Sequence, residues 1–185
     1  MRRLLLHVCC APCSPHVLAR LRAANTQVTG FFCNPNIQPL REFEFRRLEV
    51  ARIAERLSWP VVYPPHDMME WFAAVRGLEY EPERGRRCAV CFRLRLDKTF
   101  RYAREHGFDA VATTLSVSPY KVAAQINEQG LSLAREYGIA FLAENFKKHD
   151  GWRATRELAA ALGVRHQDTC GCVFSRVERL LRLRK

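Results

Sequence analysis

Leu4-Leu5-Leu6-His7-Val8-Cys9-Cys10-Ala11-Pro12-Cys13-Ser14-Pro15 is a short apolar run that ends in three cysteines and then changes character. Ser14 offers a cap and Pro15 a first helical residue, and Val17, Leu18 and Leu21 continue at helical spacing to about Asn25. A buried strand feeding a helix is the simplest reading. It delivers thiols to the mouth of a sheet, with a helix N-terminus behind them that favours anionic sulfur or an anionic ligand.

Outward from that unit the alternation repeats. Strands are expected at Val28–Phe32, Val61–Tyr63, Ala110–Thr113 and Ile139–Leu142. Helices are expected at about Leu40–Ser58, Met68–Val75, Phe92–His106 directly after the Cys88–Cys91 pair, Val122–Tyr137, Trp152–Leu162 and Phe174–Leu183. In the helix from Leu40, Phe43, Leu48, Ala51, Ala54 and Leu57 read as the apolar stripe, with Arg41, Arg46, Arg47, Arg52 and Arg56 on the polar side. The sum is one α/β domain over residues 1–185 with a mostly parallel five-stranded sheet, and residues 66–87 form an irregular insertion suited to substrate contact.

Sites in such sheets lie beyond the carboxyl ends of the strands. The polar segments fall there: the first cysteines, Asn34–Pro39, His66-Asp67, Ser116–Lys121 and Asn145–His149. No glycine fingerprint follows the first strand, which argues against a dinucleotide site.

Charge points to a partner. Lys plus Arg number 30 against 19 Asp plus Glu, a formal net charge of +11, so a phosphate backbone is expected. The surplus is spread along the chain, with a basic cluster at Arg179–Lys185 among several. Arg2-Arg3 before the leucines mimics an export signal, yet the apolar run ends at Val8 and includes His7, at the bottom of the roughly 7 to 15 residues of an export core. A cytoplasmic protein that does not enter a membrane is expected.

The 8 cysteines, at 9, 10, 13, 33, 88, 91, 170 and 172, suit metal or redox chemistry better than structural disulfides in a reducing compartment. A structural zinc would take four and leave reactive thiols over. A redox hook at Cys10-Ala11-Pro12-Cys13 ignores the other groups. Cys33 stands apart and is left out. The remaining seven permit one [4Fe-4S] cluster with a second metal or a redox pair beside it, and spacing does not divide them.

The motifs together resemble the epoxyqueuosine reductase QueH family. The likeness rests on Leu6–Ser14, Phe32 with Asn34-Pro35-Asn36-Ile37, Cys88 and Cys91 with Arg93-Leu94, Thr113-Thr114-Leu115 with Ser118–Lys121, Asn145-Phe146-Lys147-Lys148, and Gln167 with Cys170–Ser175. It implies a Rossmann-like three-layer fold similar to the nucleotide α-hydrolase (PP-loop) class. It also implies reduction of the epoxide of epoxyqueuosine to queuosine at the wobble position of tRNA, with a [4Fe-4S] cluster, a neighbouring mononuclear iron and an external one-electron reductant such as a ferredoxin or flavodoxin.

On that footing Cys10, Cys88, Cys91 and Cys170 are assigned to the cluster, and Cys9, Cys13 and Cys172 to the second iron, with Asp168 completing it. Cys9, Cys13, Asp168, His66 and Asp67 are the candidate catalytic groups, the last two as acids. Asn34, Asn36 and Ser118 are candidates for holding the nucleoside, Tyr120 or Trp71 for stacking a splayed base, and Lys121, Lys147 and Lys148 for the tRNA backbone. His7 reads as a packed residue. The competing readings are a PP-loop-like tRNA-thiolating enzyme, which would want a glycine-rich phosphate cradle where Cys9–Ser14 stands, and a zinc-stabilised RNA-binding module.

Overall fold

A computed structural model describes residues 2–182. Five strands, β1 (Arg2–His7), β2 (Thr26–Phe31), β3 (Val61–Val62), β4 (Ala110–Thr113) and β5 (Ala140–Phe141), form one sheet in the order β3-β2-β1-β4-β5. Every pairing in it is parallel. A parallel sheet is covered on both faces, which explains why Leu4, Leu5 and Leu6 of β1 are buried without alternation.

The helices are α1 (Ser14–Ala23), α2 (Leu40–Arg56), α3 (Met68–Ala74), α4 (Arg86–Glu105), α5 (Ala123–Tyr137), α6 (Gly151–Ala161) and α7 (Val173–Arg182). The Rossmann-like α/β reading therefore holds. The last residue of the expected final helix, Leu183, and the end of the basic cluster, Arg184 and Lys185, lie outside the described residues.

Chain order places the switch in direction at β1. From β1 the chain builds β2 and β3 on one side, then crosses to β4 and β5 on the other. The crevice of such a sheet opens between the two central strands at their carboxyl ends. There His7 of β1 is in register with Thr113 of β4, its Nδ1 lies 2.8 Å from Thr113 Oγ1, and the ring is fully buried.

Two local expectations need correction. Ser14 does not cap α1: its hydroxyl donates to the Cys10 carbonyl at 2.8 Å, closing the thiol turn instead. The stripe of α2 is also rotated from the expected one. Phe43, Arg46, Val50, Ile53 and Ala54 are buried while Leu48 is exposed, so Arg46, read as part of the polar side, lies on the buried face.

Candidate metal centre

Each thiol reaches the sheet's open edge for a local reason. The extended chain of β1 ends at His7, and Cys9 follows it into the crevice. Its amide donates to Thr114 Oγ1 at 3.0 Å, and that hydroxyl in turn donates to Cys9 Sγ at 3.2 Å. Thr114 opens a single 3-10 turn, Thr114–Val117, directly after β4, so the two central strands clasp each other through this residue. The sulfurs of Cys9 and Cys10 are 3.5 Å apart, and those of Cys9, Cys10 and Cys13 all lie within 4.8 Å of one another.

Cys88 and Cys91 sit one turn apart at the start of α4. Cys170 and Cys172 flank Gly171, whose φ of +100° suits glycine; a Cβ there would press within 3.0 Å of Ile37 and 3.1 Å of Arg46. The tight turn holds the Cys170 and Cys172 sulfurs 3.5 Å apart. The Ser175 amide donates to Cys172 Sγ at 3.3 Å, and Ser175 Oγ lies 3.4 Å from Cys170 Sγ.

These groups meet in two adjoining spaces. Cys9, Cys10, Cys13 and Cys170 line a cleft of about 360 Å³ together with Arg95, Ser118, Tyr120, Lys121 and Asp168. Cys88, Cys91, Cys170 and Cys172 line a narrower pocket beside it with Asn36, Trp71, Arg95 and Lys121. Cys170, Arg95, Tyr120 and Lys121 belong to both, so the seven thiols share one rim. Cys10 groups with Cys9 and Cys13, and Cys170 stands between the two sets.

Protonation follows from hydrogen bonding and charge. Donation from Cys10 and Cys13 holds Cys9 well below the ordinary thiol range in spite of its burial, helped by Lys121 and Arg95. Cys13, which donates to Cys10 and Cys9, is pushed up. Cys170 is likewise held low, first by Cys172 and then by Lys121 and Ser175, while Cys172 is raised. Burial lifts Cys88 to about 11 and raises Cys91. Lys121 loses some basicity to burial, yet Cys9, Cys170, Cys13 and Cys10 together hold its ammonium above the ordinary value. One cation therefore faces both sets of thiols, the electropositive setting that anionic sulfur requires.

Several residues that motif reading missed frame this rim. Arg46, nearly buried, donates to the carbonyls of Cys170 at 3.2 Å and Thr169 at 3.3 Å. Arg95, also buried, donates to the side-chain carbonyl of Asn34. Both arginines fall on the buried phase of their helices, Arg46 with Phe43 and Val50, Arg95 with Cys91, Phe92 and Phe100. An arginine at an apolar position was the available signal.

Asn34 is fully engaged, accepting from Arg95 and donating to the Val8 carbonyl at 2.9 Å, and so braces the site from below. Asn36 donates to the Cys170 carbonyl at 3.3 Å while its buried Oδ1 has no partner among the described residues. Ser118 is buried and Tyr120 is 64% exposed at the cleft edge. Trp71 is 1% exposed and packs with Val75, Cys91 and Cys172, so it is a wall and not a stacking platform.

Asp168 is an exposed edge residue, ion-paired with Arg179 at 3.0 Å. Asp67 caps α3 by accepting from the Glu70 amide at 3.0 Å, and His66 stacks on Phe43 with centroids 3.7 Å apart. Neither lines the thiol cleft. Lys147 donates to the Lys121 carbonyl at 2.8 Å, and Lys148 is exposed. Cys33 is buried, its thiol lifted to about 12 by burial, and it lines neither space.

A family model described as epoxyqueuosine reductase QueH matches residues 4–178, nearly the whole chain. The chain belongs to the QueH family. A member from Haemophilus influenzae is 38% identical over 174 residues, covering 94% of this chain and 71% of its own. One from Thermotoga maritima is 36% identical over 182 residues, covering 97% and 93%.

Membership makes the chain an oxidoreductase that acts in epoxyqueuosine reduction. Among solved structures, a U34-tRNA thiolase from Methanococcus maripaludis, described with its [4Fe-4S] cluster, matches with a TM-score of 0.58 at 12% identity, covering 94% of this chain and 61% of its own. A predicted subunit of a tRNA methyltransferase from Methanocaldococcus jannaschii matches at 0.59 and 13% identity, covering 86% and 75%. Those two likenesses concern the fold alone. Among the described residues no helix is long and apolar enough to cross a membrane.

Proposed function

We propose that this chain reduces the epoxide of epoxyqueuosine, carried in tRNA, to the cyclopentene of queuosine, the last step of queuosine biosynthesis. The observation that carries the reading is the meeting of seven thiols on one rim with Lys121 lining both of its spaces. A thiol-rich donor set of this kind, backed by buried arginines that offset thiolate charge, fits a [4Fe-4S] cluster and a neighbouring iron.

Cys9, Cys10, Cys13, Cys88, Cys91, Cys170 and Cys172 would hold that centre, with Asp168 at its edge. When bound, such a centre supplies electrons one at a time and Lewis acidity. An external one-electron reductant, a ferredoxin or flavodoxin, replenishes it. The overall reaction consumes two electrons and two protons and releases the epoxide oxygen as water.

The chain's own residues do the rest. Tyr120, exposed at the cleft edge, offers a face on which an unstacked base can rest. The free Oδ1 of Asn36 and the hydroxyl of Ser118 are polar groups at the cleft wall suited to a nucleoside. Lys121 presents an ammonium toward the reacting region and stabilises negative charge on a departing oxygen. An anticodon loop is already single stranded, so exposing its base costs little.

Anaerobic purification with metal and sulfide counting, followed by dithionite-driven turnover of epoxyqueuosine-containing tRNA, tests the reading. Iron and sulfide with queuosine product are expected. Zinc alone, or a full iron complement with no product, would sink it.

A further inference from the structure

A second cleft, of about 510 Å³, opens beside the thiol rim between α2, α7 and the 165–169 segment. Five guanidinium groups line it, Arg41, Arg46, Arg165, Arg176 and Arg179, against the two carboxylates of Glu42 and Asp168. Arg46 and Arg179 are paired with those carboxylates, and Arg176 donates to the Gln38 carbonyl at 3.0 Å. Arg41 and Arg165 are exposed and make no ion pair among the described residues. Unpaired guanidinium groups in a concave surface attract phosphate, which they bind in a planar fork.

The cleft is not purely electrostatic. Phe45 is 42% exposed and Leu180 62% exposed, and both line it. An aromatic face among arginines is the combination that holds single strands, the cations following the backbone and the ring taking a base. The cleft is also continuous with the site: Arg46, Gln167, Asp168, Thr169 and Arg179 line both it and the thiol cleft. Lys147 contrasts with these residues, since its ammonium already serves the Lys121 carbonyl.

We infer that this groove is where a single-stranded phosphodiester backbone lies while the neighbouring nucleotide enters the thiol cleft, with Arg41 and Arg165 on phosphates and Phe45 under a flanking base. The inference rests on the tRNA-substrate reading and names the surface that reading needs. An acidic electron-carrier protein would also meet arginines, but an exposed aromatic face beside them favours a nucleic acid base.

The test uses the metal-loaded full chain, a fluorescent anticodon stem-loop RNA and dithionite as reductant. Arg41→Gln with Arg165→Gln should weaken RNA binding about tenfold and lower the salt slope by about 1.4, at about 0.7 per single-strand phosphate. Phe45→Ala should weaken it about fivefold at every salt concentration. Iron content and kcat at saturating tRNA should stay at wild-type values in both. Unchanged affinity and slope in the double variant, with wild-type protein binding normally, would overturn the groove alone. A rate loss that appears only when a protein donor replaces dithionite would assign the groove to that donor and overturn the inference. Wild-type protein that does not bind the stem-loop would overturn the tRNA reading together with the groove.

Discussion

The ammonium of Lys147 donates to the backbone carbonyl of Lys121 across 2.8 Å, so the turn after β5 braces the loop after β4. One lysine thereby fixes where the other faces the thiols. Lys148, adjacent in sequence, is exposed. The two should separate on mutation. Lys147→Ala is expected to lower kcat about fivefold, since a half-exposed charge-assisted hydrogen bond is worth about 1 kcal/mol, with little change in the KM for tRNA. Lys148→Ala should leave kcat intact and raise KM modestly. Steady-state kinetics at two ionic strengths check this; equal effects on KM in both variants would contradict the bracing role.

Arg46 ties α2 to the loop that carries Cys170 through the Cys170 and Thr169 carbonyls, and Glu42, one turn earlier in α2, holds its guanidinium in place. Arg46→Ala leaves the Thr169 carbonyl and the Glu42 carboxylate without this donor and the Cys170 carbonyl with Asn36 alone. A loss of about 2 to 3 kcal/mol is expected, below the full buried-pair figure because Glu42 reaches water. Urea unfolding of the metal-free protein measures it. Arg46→Lys keeps the charge without the planar fork and should recover only part of the loss. Iron content after anaerobic purification should fall in the same order, and full iron retention in Arg46→Ala would refute the assigned link to Cys170.

The fold was readable because its determinants are local and periodic. Five apolar runs alternating with helices leave few topologies, and right-handed parallel crossovers settle most of the remainder. The thiols were readable for another reason: in a parallel sheet, whatever follows a strand's carboxyl end is delivered to one rim. Contacts between distant segments were not. Asp67 is a local miss: the helix expected from Met68 made it a candidate cap, and it was weighed as an acid beside a strand end instead. Arg46 looked like surface charge because a residue's type was weighed above its helical phase. The grouping of Cys10 with Cys9 and Cys13 depends on how the turn closes through Ser14, which sequence spacing does not encode.

Gly171 separates two thiols and adopts a φ of +100°, a region costly for any residue with a Cβ. The added carbon would also crowd Ile37 and the Arg46 guanidinium. Gly171→Ala should therefore destabilise the metal-free chain by about 1 to 3 kcal/mol. The strain falls on the turn between Cys170 and Cys172, so iron occupancy should drop more than overall helicity. Paired iron analysis and far-ultraviolet circular dichroism decide the matter. Gly163→Ala, where φ is +64° and nothing lies within 4 Å of the new Cβ, supplies the control for strain without crowding and should keep its iron.

His66 offers a pH test that also bears on its candidate role as an acid. Burial outweighs the nearby Glu44 and Asp67 carboxylates and holds its imidazole below the ordinary value of 6.5. The folded chain thus binds the proton less readily than the unfolded chain. Below about pH 6.5 the unfolded state takes up more protons, so the contribution of this group to stability is complete above that pH and declines as the pH falls. His66→Phe keeps a ring to stack on Phe43 and removes the titration. The urea midpoint of the variant relative to wild type should rise steadily from pH 7.5 to pH 5.5. Because His66 does not line the thiol cleft, kcat for epoxide reduction should stay within about twofold of wild type, a difference of about 0.4 kcal/mol. A larger kcat loss with an unchanged midpoint would restore His66 as the proton donor.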